Sequence, residues 1–275
     1  MDDTHKVADR AQREVAARWS SHTVRDRRRV LLGGVLLLIG LMLVPPDPAF
    51  VRTNDWLMSG VSGMRPAHAF VVGGLQLPLE ARTTGIYAGI TLTWLWLAGT
   101  ARLGAAQLAP RRVQLVLVLM CAVMIGDGVN STLATLGGAH LYAASNTTRI
   151  TTGLLAGVSL GCVLAWLVPV VAGLDTHHPV LLTGVRSLIG PIVLSGGYGL
   201  VVAQQPSRGY LPIALLSSLG VWIALTSSVL LVMFHGGGWR APRPRQLLVP
   251  TLLACGAACG FLVLAALLRA RAGGG

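Results

Sequence analysis

The 275-residue chain places most of its few polar side chains in two connections between long apolar segments. Beyond the first 29 residues, the charged and amide side chains concentrate in residues 45–82 and 126–149. Together, carboxylates, guanidinium groups and amides are suited to holding a small polar or anionic ligand, and inside a membrane an ionisable group costs several kcal/mol unless it is paired or solvated. The candidate ligand-binding residues are Glu80, Arg82, Tyr87, Asp127, Asn130, Asn146 and Arg149.

Helical spacing predicts that several of these side chains share a face. If the apolar segment before residue 126 continues as a helix, Asp127, Asn130 and Ser131 fall on one side of it. Asn146 and Arg149 lie three residues apart at the start of the next segment. We expect Asp127 and Arg149 to be paired or solvated in a cavity. No catalytic residue is assigned.

Each of these residues also has a structural interpretation. Glu80 precedes an apolar segment, where a carboxylate at a helix N-terminus gains about 0.3 to 1 kcal/mol from the helix dipole. Tyr87 is suited to anchoring a helix at the membrane interface. The whole set is equally compatible with an ion-pair and amide network that fixes the register of the helices.

Composition predicts the architecture that must position these residues. The chain is 53% hydrophobic and 12% charged, whereas about 25% of residues are charged in an ordinary soluble domain. Seven segments approach the roughly 20 apolar residues that a membrane span needs. We therefore predict an all-α, polytopic membrane helix bundle. The segments are residues 30–44, 84–101, 113–125, 150–173, 180–203, 211–234 and 247–268.

Glycine spacing and proline positions refine this bundle. Gly153, Gly157 and Gly161 form a stripe that predicts close packing of the fourth segment against a neighbour, and Arg149 lies on the same stripe. Pro191 is expected to kink the fifth segment. The long connection, residues 45–82, has enough apolar residues to fold back onto the helices.

Charge predicts the topology and excludes a nucleic-acid partner. The net charge is +12, but eight of the 22 Lys and Arg residues lie in residues 1–29, which we interpret as a basic cytoplasmic tail. With the N-terminus inside, 15 basic residues fall on the cytoplasmic side and seven outside, as the positive-inside rule requires. The transmembrane domain then spans 30–268, with a short tail at 269–275. The abundance of Ala, Gly, Leu and Arg favours a bacterial plasma membrane protein.

No metal or cofactor is expected. Cys121, Cys162, Cys255 and Cys259 all fall within apolar segments, where thiols are usually small packing groups. His177 and His178 are adjacent and are interpreted as part of a solvated loop. His68 and His140 lie on the outer side without the spacing of metal ligands.

Four stretches in the two connections resemble those of a known family. They are Ser62 to Phe70, Gln76 to Tyr87, Asp127-Gly128 and Asn146 to Arg149. In order and interval they are similar to the motifs of domain-of-unknown-function family 2085, a family of predicted multi-span bacterial membrane proteins. The resemblance covers residues 50–161, and residues 45–161 of the transmembrane domain carry the motifs.

The departures from the family pattern concern its cysteines and its histidine. Where that pattern has Cys and His, this chain has Ser62, Gly63, Glu80 and Thr83. Any thiolate chemistry that the family pattern implies is therefore not expected here.

Three functions remain open from the sequence. The first is binding or movement of a small polar or anionic ligand between Arg82 and Arg149. The second is a structural or assembly subunit with membrane-protein partners. The third is an interfacial lipid-modifying enzyme with Glu80 or Asp127 as the base, although the chain has none of the common hydrolase or phosphate-binding motifs.

Overall fold

The computed structural model describes residues 34, 37 and 40–273, except 64, 101, 108, 175–180, 238–239 and 242. The chain divides into two units, Met1–Gly40 and Leu41–Gly275, and the elements below belong to the second. The predicted tail, most of the segment 30–44 and the loop with His177 and His178 lie outside the described residues, as do the last two residues of the predicted C-terminal tail.

Seven α-helices, three 3-10 turns and one small hairpin are the main elements of the described part of the second unit. The helices are α1 (Pro48–Ser59), α2 (Ala81–Gly99), α3 (Arg111–Thr135), α4 (Asn146–Ala172), α5 (Ile189–Ala203), α6 (Tyr210–Gly236) and α7 (Leu248–Gly273). The strands β1 (Val71–Val72) and β2 (Leu75–Gln76) pair antiparallel. The prediction of an all-α membrane protein is confirmed.

Five of the predicted spans coincide with helices that are long and apolar enough to cross a membrane. They are Arg111–Thr135, Asn146–Ala172, Val185–Ala203, Tyr210–Gly236 and Arg245–Ala272. The predicted segment 84–101 forms α2, which is helical but is not among these five candidates. Because α2 has only two exposed residues, Leu95 and Ala98, its surface faces other helices and does not need to be apolar enough for lipid.

Helix α2 packs against α4 through the predicted glycine stripe. A Cβ atom at Gly153 would overlap the Arg82 carbonyl oxygen, and one at Gly157 would overlap the Ile86 carbonyl oxygen. On α2, a Cβ at Gly85 would lie 2.5 Å from the Ile150 carbonyl oxygen. Contacts progress along both helices in the same direction, so α2 and α4 run parallel and begin at the same end of the bundle.

The long connection, residues 45–82, folds back onto the helices as predicted. Asp47 caps α1 by accepting from the Ala49 N–H at 2.5 Å. After α1, the hairpin turns at Gly73 and Gly74, which have positive φ values of 60° and 77°. Glycine adopts this conformation readily because it has no Cβ atom. Its apolar side chains are buried against α2, α4 and α6, including Phe70, Val72 and Leu77.

Helices α3 and α4 deliver the second connection to the same end of the bundle. Helix α3 continues to Thr135, so Asp127, Asn130 and Ser131 are helical and all three are buried. Helix α4 begins with a capping box. The Ser145 hydroxyl accepts from the Thr148 N–H, and the Thr148 hydroxyl accepts from the Ser145 N–H. That cap fixes Arg149 in the first turn.

Pro191, for which a kink is predicted, lies in the first turn of α5. A 3-10 turn, Val185–Leu188, leads into α5, and Pro191 is the third residue of that α-helix. In the first turn a backbone N–H has no intrahelical partner, so proline interrupts no hydrogen bond there. The irregularity of this span is therefore its 3-10 entry.

Candidate functional site

A polar cavity of about 180 Å³ lies where α2 and α4 begin and α3 ends. Three of the seven sequence-predicted residues line it, namely Glu80, Arg82 and Arg149. The remaining lining side chains are Arg65, His68, Ser131, Thr132, Thr135 and Leu136.

Arg65 and Glu80 form one wall of the cavity. The Arg65 Nε donates to Glu80 Oε1 at 2.9 Å, and Nη2 donates to Oε2 at 3.1 Å, a bidentate pair. The Arg65 backbone N–H also donates to Oε1 at 3.2 Å. Glu80 is the N-cap residue of α2, so its carboxylate lies at the helix N-terminus as expected, but its side chain accepts no hydrogen bond from a helical N–H.

The charges around Glu80 and His68 set their protonation. Partial burial raises the pKa of Glu80, but the Arg65 hydrogen bonds and the charges of Arg65 and His68 outweigh it and hold the pKa below its usual value. Partial burial, followed by the positive charges of Arg149 and Arg65, lowers the pKa of His68 despite the nearby Glu80 carboxylate. Glu80 is thus ionised and His68 neutral at pH 7.

Asp127 lies behind Arg82, at the buried side of the site. Its Oδ2 accepts from Arg82 Nη2 at 2.5 Å and from the Thr152 hydroxyl at 3.1 Å. Its Oδ1 accepts from the Tyr142 hydroxyl at 2.6 Å. The charged partner of Asp127 is therefore Arg82 and not Arg149, although both arginines line the cavity.

Arg149 is held by neutral groups. Its Nε and Nη2 donate to the Ser131 hydroxyl at 3.3 and 3.0 Å, and its Nη1 donates to Asn146 Oδ1 at 3.1 Å. Among the described residues, no carboxylate lies within ion-pair distance of Arg149. In the part of the chain that the structure describes, Asp127 and Glu80 act on this guanidinium only from beyond ion-pair distance, so it carries a positive charge into the cavity without a direct counter-charge.

Asn130 and Asn146 support the site from outside the cavity. The Asn130 side chain accepts from the Leu141 N–H at 2.7 Å and donates to the Tyr142 carbonyl at 3.0 Å, which places the Tyr142 hydroxyl on Asp127. The Asn146 amide donates to the carbonyls of Ala67 and Ala69 at 3.2 and 3.3 Å. It thereby joins α4 to the turn that bears His68.

Tyr87 does not line the cavity. It packs in an apolar cluster with Met58, Val221 and Trp222, between α2 and α6. Its inclusion among the candidate ligand-binding residues therefore finds no support in the geometry. A Cβ atom at Gly220 would overlap the Tyr87 carbonyl oxygen, so α6 approaches the α2 backbone closely at this point.

Arg65 and Tyr142 are the site residues that sequence reasoning missed. Arg65 lies 15 residues before Glu80, across the hairpin, where no helical spacing relates the two. Tyr142 lies in the connection between α3 and α4 and offered only its position between Asp127 and Arg149 as a signal. Within the described residues, no group of three His, Cys, Asp or Glu side chains is arranged to hold a metal ion.

Comparison with known proteins supports the family assignment. No curated protein and no solved structure matches the chain. Residues 64–163, from the turn before His68 to the middle of α4, match a family model described as predicted membrane protein, domain of unknown function 2085. The predicted resemblance is thus confirmed over residues 64–163, which are similar to this family of predicted membrane proteins.

Proposed function

We propose that the polar cavity binds a small anionic ligand, an oxyanion or a carboxylate, with Arg149 as its main contact. The observation that carries the proposal is that Arg149 lines the cavity while its described partners are all neutral. Of its five N–H donors, three are used by Ser131 and Asn146, so two are open to a ligand.

Electrostatics at the helix ends favour an anion at this position. Arg82 and Arg149 lie in the first turns of α2 and α4. A cation at a helix N-terminus is disfavoured by the helix dipole, typically by about 0.3 to 1 kcal/mol. Asp127 compensates this cost for Arg82, and a bound anion would compensate it for Arg149 while also interacting favourably with both helix ends.

Size and donor chemistry narrow the ligand class. A cavity of about 180 Å³ is below the roughly 300 to 1,000 Å³ of pockets for drug-sized molecules. Guanidinium groups present planar donor pairs that match carboxylate, sulfate and phosphate oxygens. A compact oxyanion therefore fits the site better than a sugar or a peptide.

Binding of radiolabelled sulfate and phosphate to the purified full-length protein tests this proposal. We expect Arg149→Gln to weaken binding by about tenfold or more, since a charge-assisted bond contributes about 1.5 to 3 kcal/mol. Arg208→Gln is the matched control, because Arg208 is exposed in the connection at the same end of the bundle. Undetectable binding of both anions, or equal affinities of parent and Arg149→Gln, would reject the proposal.

A structural or assembly role is the second candidate, and the Asp127 network favours it. Asp127 of α3 bonds to Arg82 of α2, Thr152 of α4 and Tyr142 of the intervening connection. Such a network fixes the register of three helices whether or not a ligand is present. Under this alternative, Arg149→Gln destabilises the fold or a co-purifying complex, and no anion binds.

The interfacial-enzyme hypothesis gains nothing from the geometry. Glu80 and Asp127, its two proposed bases, are each engaged by an arginine. A carboxylate paired in this way is stabilised as the anion and is a weak base.

We also propose that the polar cavity faces the outside of a bacterial plasma membrane. The arginine distribution supports this orientation, with seven spans, α2 and the segment 30–44 included. Cysteine labelling with a membrane-impermeant maleimide tests it at two exposed positions at opposite ends of α3. Ala139→Cys is expected to react in intact cells, and Gln107→Cys only after permeabilisation; the reverse pattern would invert the topology.

A further inference from the structure

A second, larger cavity lies at the opposite end of the bundle from the polar site. Its volume is about 370 Å³, and it is enclosed by the later halves of α2, α4 and α6 together with the start of α7. Its walls are mainly apolar and include Trp94, Trp222 and Leu230, while Ser227 and Thr251 are among its few hydroxyls.

The position of this cavity determines what can fill it. Three of the four contributing helices, α4, α6 and α7, lie within the candidate membrane spans. A volume of about 370 Å³ is within the range of roughly 300 to 1,000 Å³ that is typical of ligand pockets, and apolar walls suit a hydrocarbon chain. In a bilayer the natural source of such a chain is lipid.

The cavity lies at the arginine-rich end of the bundle. Leu103 and Leu247 line it, next to Arg102 and two residues after Arg245. The Arg240 guanidinium lies beside Gly173, which precedes another lining residue. The described part of this end of the bundle has seven arginines and no Asp or Glu, namely Arg102, Arg111, Arg112, Arg186, Arg240, Arg243 and Arg245.

We propose that this cavity binds an acyl chain of an anionic phospholipid whose head group is held by the arginines at its mouth. Apolar walls take the chain, and charge complementarity selects the head group. Basic pockets between membrane helices bind anionic lipids in this way. The inference does not depend on the ligand of the polar cavity.

Native mass spectrometry of the full-length protein, titrated with phosphatidylglycerol or phosphatidylcholine, tests the proposal. Ser227→Phe places a ring in the cavity and is expected to lower phosphatidylglycerol affinity by roughly tenfold, because excluding two methylene groups already has about that effect. Ser228→Phe is the matched control, since Ser228 is the next residue of α6 and is exposed.

Substitution of two exposed arginines, Arg240 and Arg245, gives a second test. This test does not depend on whether the Ser227→Phe variant folds. Replacing Arg240 and Arg245 together by Gln is expected to reduce the preference for phosphatidylglycerol while phosphatidylcholine binding stays unchanged. The proposal is overturned if the parent protein binds both lipids equally. It is also overturned if a folded Ser227→Phe variant binds phosphatidylglycerol as tightly as Ser228→Phe does.

Discussion

Asp127 is the residue on which the polar contacts of the site converge. Its side chain is only 1% exposed, and a buried carboxylate is tolerated only when its charge and its remaining lone pairs are matched. Arg82 supplies the charge, and the hydroxyls of Tyr142 and Thr152 supply two further hydrogen bonds. Removing Asp127 therefore affects α2, α4 and the connection between α3 and α4.

We predict that Asp127→Ala destabilises the protein by about 2 to 3 kcal/mol. Breaking a fully buried ion pair typically costs about 3 to 5 kcal/mol, and the cost is lower here because Arg82 is partly exposed. Tyr142→Phe removes one hydrogen bond and should cost about 1 kcal/mol. Thermal unfolding of the detergent-purified variants measures both. An Asp127→Ala variant as stable as the parent would show that the network contributes nothing to the fold.

His68 gives the proposed anion site a pH dependence. Because its pKa is lowered, His68 is neutral at pH 7 and gains a positive charge only under acidic conditions. Glu80, whose pKa is also lowered, keeps its negative charge over that interval. Anion affinity should therefore rise as the pH falls through the pKa of His68.

Sulfate binding measured between about pH 8 and pH 5 checks this prediction, since histidine titrates in that interval and sulfate keeps its charge. The parent protein should bind more tightly toward the acidic end. His68→Gln should show an affinity that is independent of pH, and a persistent pH dependence in that variant would assign the effect to another group.

At the scale of elements, the contact between α2 and α4 determines where the site residues lie. Glycines of one helix meet backbone atoms of the other, so the two helices approach more closely than side chains would allow. Arg82 and Arg149 begin these two helices and are therefore brought to one cavity. The same contact fixes the distance between their guanidinium groups and the carboxylates around them.

We predict that Gly157→Ala destabilises the protein by about 1 to 3 kcal/mol, the usual cost of overpacking. The added methyl group would meet the Ile86 carbonyl oxygen and the Gly89 backbone, which cannot move aside like a side chain. Gly196→Ala in α5 is the control, since nothing lies within 4 Å of its added Cβ. There alanine should stabilise the helix by about 0.5 to 1 kcal/mol. Unfolding temperatures should therefore shift in opposite directions.

Periodicity explains how much of this arrangement could be predicted from the sequence. Helical spacing was sufficient to place Asp127 and Asn130 on one face and to identify the glycine stripe on α4. It could not identify α2 as the partner of that stripe, because small residues occur on several helices. The pairing of Arg65 with Glu80 depends on the path of a loop, which no repeat in the sequence encodes.

At the scale of the whole molecule, α7, which lies outside residues 64–163, contacts the loop that carries part of the site. Arg269, near the end of α7, donates to the carbonyl oxygens of Ser59 and Gly63 at 2.9 and 2.6 Å and also to that of Ser62. The Ser62 hydroxyl in turn accepts from the Glu80 N–H at 3.0 Å. Through these hydrogen bonds, α7 stabilises the loop that carries Arg65 and His68.

We predict that Arg269→Ala weakens anion binding several-fold although Arg269 does not line the cavity, because the loop loses its attachment. Arg269→Lys should recover part of the affinity. Arg271→Ala is the matched control on the same helix, two residues further on and exposed. Limited proteolysis should show faster cleavage near residue 63 only in Arg269→Ala, and identical cleavage in all three variants would contradict this role.

The burial of α2 has a consequence for the biosynthesis of the protein. A segment enters the bilayer from the translocation machinery when its own hydropathy favours lipid, yet α2 has an arginine at its second position and is rich in threonine and glycine. Its stabilising neighbour, α4, begins 47 residues after α2 ends, since α2 ends at Gly99 and α4 starts at Asn146. With α2 as one of the seven proposed spans, we expect its stable insertion to await synthesis of α4, so that the nascent chain acquires its final topology only after α4 has emerged.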